Sequence, residues 1–195
     1  MTTIATVKGE GWVVMACDSQ ITRDDHHPVP SLRGKIISTE QTLVSFTGDN
    51  RVFNILQDCW IIPKENELLK GEKLDGWMGK VFVPSIQEVF KLYNYKDTDG
   101  DGDGNIGAGL IVAINGVVYT VSFDYSYIRR EQKITTAGSG GPYAHGALCA
   151  LLKEEVEPSY ALGDALNKVI EAVKIACEND IHSGGEVKTA IWIKE

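Results

Sequence analysis

The sequence predicts an α+β fold built in layers, not a run of alternating βαβ units. Strand-like segments come in blocks, at the start and again past residue 107, with helical segments gathered between the blocks and near the end. The strand-like segments are short and bounded by glycine-containing turns, whereas the helical ones repeat apolar residues every three to four positions. The length of 195 residues suits one domain with a substantial core.

Residues 3–7 and 12–17 flank the turn Lys8-Gly9-Glu10-Gly11 and read as a hairpin. A polar loop holding His26, His27, Pro28 and Pro30 follows. Residues 35–38 and 42–47 form a second strand pair that ends at Gly48. Residues 52–61 are apolar-periodic and expected to be helical, and residues 63–79 read as an irregular, partly charged connection. Residues 85–93 place Ile86, Val89, Phe90 and Tyr93 at helical spacing. Residues 108–114 and 117–123 flank Asn115-Gly116, the strongest short hairpin signal in the chain. Residues 133–137 form a further strand, which Gly138-Ser139-Gly140-Gly141 turns into a helix opening at Pro142 or Tyr143. After Pro158 comes a long helix with Leu162, Ala165, Leu166, Val169 and Val173 on its apolar stripe. The turn His182-Ser183-Gly184-Gly185 leads to a last strand, residues 187–193. With no internal repeat and no linker, one domain is expected over residues 1–195, or 2–195 once Met1 is removed.

Composition narrows the function. A net charge of −8 argues against a nucleic-acid partner, which needs a basic face. No basic segment precedes an apolar run and no stretch of 18 apolar residues occurs, so a cytoplasmic protein without signal peptide or membrane span is expected. The four cysteines (Cys17, Cys59, Cys149 and Cys177) lack metal-ligand spacing and read as reduced core residues.

Four separated pieces carry chemistry. The first is Met1-Thr2-Thr3-Ile4. Methionine before a small residue is normally trimmed, which would leave Thr2 with a free α-amine. Such an amine titrates near ~8 and can serve as base for the hydroxyl of the same residue. The second is Asp18-Ser19-Gln20 at a strand end, followed by Lys35. A lysine ammonium beside the nucleophile favours its deprotonated form, and a buried lysine needs a partner such as Asp18. The third is Ser45-Phe46-Thr47-Gly48-Asp49, where glycine lets a substrate carbonyl approach the backbone and the Gly48 N–H is placed to hold an oxyanion. The fourth pairs Gly138-Ser139-Gly140-Gly141-Pro142-Tyr143-Ala144 with Asp180-Ile181-His182-Ser183-Gly184-Gly185. The glycine-serine turn lacks the Gly-Lys-Ser/Thr ending of a phosphate-binding loop. Each piece alone also suits an ordinary strand end or turn.

Taken together, in this order and at this spacing, the pieces resemble the proteasome β-subunit superfamily, which includes the peptidase subunit of the bacterial two-component ATP-dependent protease. The resemblance implies a four-layer αββα sandwich, two antiparallel sheets between helix layers. It implies a threonine-type endopeptidase with Thr2 as nucleophile, forming an acyl-ester. Asp18 would hold Lys35, and Lys35 would tune the site. Gly48 would form the oxyanion hole, and Ser139, Asp180 and Ser183 would hydrogen-bond around the Thr2 amine. Ile21, Ile37 and Phe46 would line an apolar specificity pocket. The substrate would be a polypeptide, the assembly a homo-oligomeric ring, and an ATPase unfoldase a possible partner. Arg33 lies close enough in sequence to compete with Lys35 for the lysine's position, and Asp49 follows Gly48 where the family usually has a small residue. A silent ring subunit, or an amidase of the same mechanism acting on a small molecule, are the alternatives.

One motif stands outside that set. Asp99, Asp101 and Asp103, then Gly104 and Ile106, match the opening positions of a calcium loop, but Leu110 stands where the bidentate glutamate belongs. The readings are weakly bound calcium and a solvated loop; the chemistry itself calls for no cofactor.

Overall fold

Alternating side chains on the central strands sort themselves into three separate apolar layers, and that sorting builds the fold. The computed structural model describes residues 2–22, 28–31, 33–64, 69–95, 107–152 and 162–194. Its first elements are β1 (Ile4–Gly9), β2 (Trp12–Cys17), β3 (Gln20–Thr22), β4 (Pro28–Pro30), β5 (Ile36–Ser38) and β6 (Thr42–Gly48). Next come α1 (Asn50–Asp58), α2 (Glu72–Trp77), a π-helical stretch (Met78–Phe82) and α3 (Val83–Leu92). The chain continues through β7 (Ala108–Ile114), β8 (Val117–Val121), β9 (Tyr127–Arg130) and β10 (Ile134–Ala137). It closes with α4 (Gly141–Leu152), α5 (Leu162–Asn179) and β11 (Lys188–Ile193). One antiparallel sheet has the order β10-β1-β2-β11, a second the order β5-β6-β7-β8-β9, and β3 and β4 make a separate ribbon.

In the first sheet Ala5, Val7, Val14 and Ala16 face α4 and α5, meeting Ala144, Leu148, Val169 and Val173. Their neighbours Ile4, Val13, Met15 and Cys17 face the second sheet and meet Leu43, Ile111, Ala113 and Val118. On the far side of the second sheet Val44, Phe46, Leu110 and Val112 meet Val52, Leu56, Leu74, Phe82 and Ile86 of the other helices. Period-2 side-chain direction thus yields helix, sheet, sheet, helix. Each of the larger side chains, fully withdrawn from water, contributes about 1.5–3 kcal/mol. The expected αββα sandwich is the observed one.

The structure corrects several local expectations. The first turn shortens to Glu10-Gly11, because Gly9 pairs with Trp12. Part of the expected polar loop forms the ribbon, with Gln20 opposite Pro30; its prolines suit an edge strand. The connection expected to be irregular holds α2 and the π-helical stretch. Gly71, Gly76 and Gly79 disguise it, while Leu74, Met78 and Phe82, four residues apart, are wholly buried. β9 was not expected. It pairs with β8 and, with Arg129 and Tyr127, docks α2. Tyr119 Oη and Arg129 Nη1 donate to the Asp75 carboxylate at 2.8 and 3.0 Å, and Tyr127 Oη donates to its carbonyl at 2.9 Å. Asn115 and Gly116 both have positive φ, 47° and 81°, as the tight turn between β7 and β8 requires. Among the cysteines only Cys17 is fully buried; Cys149 is exposed on α4. Asp99, Asp101 and Asp103 lie outside the described residues.

Candidate active site

Register brings the separated pieces to one end of the two sheets. Ile4 stands opposite both Cys17 and Ala137, and Lys188 opposite Cys17. Residues just before β1, just after β2, just after β10 and just before β11 therefore converge. From the second sheet, Lys35 enters immediately before β5 and Gly48 closes β6.

Lys35 Nζ donates to Thr2 Oγ1 at 3.0 Å and to Asp18 Oδ1 at 2.8 Å. All three residues are buried, Asp18 wholly so. The Asp18 carboxylate is saturated. The Thr3 N–H donates to Oδ1 at 2.9 Å, and the Gln20 and Gly184 N–H groups donate to Oδ2 at 3.1 and 3.2 Å. A buried carboxylate is tolerated on such terms, with a cation and three backbone donors replacing water. The lysine is equally fixed: its carbonyl accepts from Ser45 Oγ at 2.8 Å, and that of Gly34 accepts from Gln57 Nε2 at 2.7 Å. Arg33 points elsewhere, pairing with Asp58 at 2.8 Å on the exposed surface. The cation at Thr2 is Lys35.

Ser139, Asp180 and Ser183 form a second cluster. Both serine hydroxyls donate to Asp180 Oδ2 at 2.6 Å, and Ser183 Oγ accepts from Thr3 Oγ1 at 2.7 Å. Burial opposes the charge on Asp180, but the donors Ser139, Ser183 and the His182 N–H outweigh it and hold its carboxyl below the ordinary value. The three expected residues thus meet one another and Thr3. Thr3, Ser45 and Gln57 were missed as positioning residues. The strand period puts Ser45 with Leu43 on the face between the sheets and Thr3 with Ala5 on the face toward α4; nothing local marks Gln57.

Gly48 and Gly140, like Gly138 beside them, leave no space for a side chain. Gly48 has φ 112°, and a Cβ on it would fall 1.9 Å from the Gly107 carbonyl. Gly140 lies so close that its Cβ would be 1.8 Å from Thr3 Oγ1. Beside Thr2 a recess is lined by Gln20, Ile21, Lys35, Phe46, Asp49, Asn50 and Phe53, with about 10 Å³ of free volume. Phe46 fills it, set edge-on to Phe53 at 5.3 Å. Ile21 and Phe46 border this recess, while Ile37 packs on the helix-side core. Asp49 caps α1 by accepting from the Arg51 N–H at 2.8 Å, and its other oxygen accepts from Tyr95 Oη at 3.2 Å. Cys17, adjoining Asp18, is no competing nucleophile: burial pushes its thiol up to about 12. Among the described residues no group of three His, Cys, Asp or Glu is placed to hold a metal, and no helix is long and apolar enough to cross a membrane.

The four-layer sandwich recurs among proteasome-like proteins of known structure. The chain superposes on Thiobacillus denitrificans BPH, solved in complex with epoxomicin, with a TM-score of 0.75 at 20% identity, covering 100% of both chains. It superposes on eukaryotic HslV from Trypanosoma brucei with a TM-score of 0.64 at 22% identity, covering 98% of this chain and 99% of that one. In sequence it is 38% identical over 79 residues to proteasome subunit beta 2 of Pyrobaculum islandicum, a match spanning 40% of this chain and 36% of that subunit. No protein-family model matches. The fold is that of these proteasome-like structures, and part of the sequence is similar to a proteasome β subunit.

Proposed function

We propose that the protein is a threonine peptidase that cleaves peptide bonds through an acyl-ester on Thr2. The observation that carries this reading is Lys35 Nζ, 3.0 Å from Thr2 Oγ1 and anchored on a saturated, buried Asp18. An ammonium that donates to Oγ1 favours negative charge on that oxygen but cannot itself take its proton. The base is therefore another group, and the α-amine that removal of Met1 would free on Thr2 is the nearest candidate. Attack on the substrate carbonyl forms the ester, and the proton passes through the amine to the leaving amine. The Gly48 N–H stabilises the oxyanion. Water then hydrolyses the ester, and protein groups alone supply the chemistry.

The reading extends to assembly. We infer a homo-oligomeric ring, cytoplasmic and acting on polypeptides, with an ATPase unfoldase as its feeder. Calcium binding by Asp99, Asp101 and Asp103 is a separate proposal, which a calorimetric titration with Ca²⁺ giving no heat would end. The central test is covalent. Intact mass establishes that Met1 is gone, and a peptide epoxyketone or boronate should then modify Thr2. A chain with a free Thr2 amine that forms no adduct, and a Thr2→Ala variant as active as its parent, would sink the peptidase reading.

A further inference from the structure

The Phe46 recess leaves little room for a substrate side chain, but a larger cleft adjoins it. Its volume is about 460 Å³, within the span of roughly 300–1,000 Å³ usual for ligand pockets. Thr47 and Gly48 border both spaces. Gly138, which lines the cleft, is seated so that a Cβ on it would fall 1.8 Å from the Thr2 carbonyl oxygen. Gly138 thus stands between the cleft and Thr2. Leu110 and Val121, opposite each other on β7 and β8, line it, as does Ala137. Phe123 lines it while remaining 54% exposed.

Gly109 also lines the cleft. It lies inside β7, where glycine ordinarily weakens a strand and often marks the close approach of a ligand. The local geometry does not demand it. A Cβ there would meet Thr47 Oγ1 at 3.5 Å and the Val121 carbonyl at 3.8 Å, both ordinary contacts. Gly48 and Gly138, by contrast, have φ of 112° and 88° and no space for a side chain. Gly109 alone among these three leaves room that a side chain of its own would take.

We infer that this cleft is a substrate subsite for a bulky apolar side chain, and that the Phe46 recess across the scissile bond takes a small one. The inference rests on the peptidase reading and deepens it by naming the substrate class: chains with a small residue on one side of the cut and a leucine- or phenylalanine-sized residue on the other. Apolar lining and volume set the cleft's preference; the T-shaped Phe46–Phe53 pair sets that of the recess.

The experiment digests a peptide library, varied at both positions flanking the cut, with Met1-free protein, and reads the cuts by mass spectrometry. Leucine or phenylalanine should exceed alanine at one flanking position by about tenfold or more. Gly109→Val, which fills the cleft, should erase that preference, and Phe123→Ser should weaken it. Phe46→Ala should admit large residues at the opposite position. Cuts with no apolar enrichment, or an unchanged profile in both Gly109→Val and Phe123→Ser, overturn the inference. A binding arm separates it from the peptidase reading. Thr2→Ala cannot be acylated, yet should bind a phenylalanine-bearing peptide about tenfold tighter than its alanine analogue, a difference lost in Thr2→Ala/Gly109→Val. Should that difference hold in a protein whose Thr2 form neither cuts nor takes up a peptide boronate, the subsite stands and the peptidase reading falls. Equal binding of the two peptides overturns the subsite whatever the activity.

Discussion

Asp18 and Lys35 form one unit, because neither side chain is tolerable in the interior without the other. Lys35→Met leaves Asp18 charged and buried with only backbone donors. It should lower kcat by about 10²–10³-fold, as loss of a charge-stabilising donor does, and stability by about 3–5 kcal/mol. The double change Lys35→Met/Asp18→Asn should recover much of the stability and none of the activity, which denaturant melts and peptide hydrolysis would separate. Recovery of activity would show that the cation is dispensable. Asp180 makes a pH prediction. Its folded carboxyl sits below the ordinary value, so its contribution to stability is present above the unfolded value of about 3.9. That contribution is lost as pH falls through the lower folded value. Asp180→Asn should flatten the stability profile in that acid window. Melts that steepen there with pH as much in the variant as in the parent would refute this.

At the scale of elements, turns and glycines decide where the site residues stand. The turn from β10 into α4 presses against the first residues of the chain, so Gly140→Ala should cost at least about 1–3 kcal/mol, the usual penalty of overpacking. Its Cβ would meet Thr3 Oγ1 at 1.8 Å and Ser183 Oγ at 3.1 Å, so the Thr3–Ser183 hydrogen bond would have to give way. A thermal melt matching the parent would mean that the turn is looser than its contacts imply. On the other side of the sandwich, Asp75 ties α2 to β8 and β9. Asp75→Ala strips the buried Tyr119 hydroxyl and Arg129 of their acceptor and should cost about 1–3 kcal/mol. The loss should show first as local protease sensitivity around α2.

For the whole molecule, the ring proposal predicts a solution mass several times the 21.4 kDa of one chain. Light scattering that returns a monomer would remove the enclosed chamber, though not the chemistry at Thr2. The sandwich was legible in outline because its inner strands are short, nearly continuous apolar runs bounded by turns: β1, β2, β6 and β7 are buried on both faces. The α2 segment and β9 were not. Glycines broke the helical signal of the first, and arginines hid the second, whose stabilising contacts come from Asp75, some fifty residues away.

By itself the sequence determined the layered α+β class, the turn at Asn115-Gly116, and the candidate set Thr2, Asp18, Lys35, Gly48, Ser139, Asp180 and Ser183. Residue type and period, both local properties, suffice for the class and the turn; the candidate set came from the resemblance of its separated motifs to a known family. Only the tertiary structure decided that Lys35 and not Arg33 faces Thr2, that Ser45 and Thr3 hold the site, and that Phe46 fills one recess while Gly109 leaves the other open. Each of those depends on strand register and on the distance between side chains remote in the chain. Both are fixed by packing two sheets together, and no single segment of the sequence contains them.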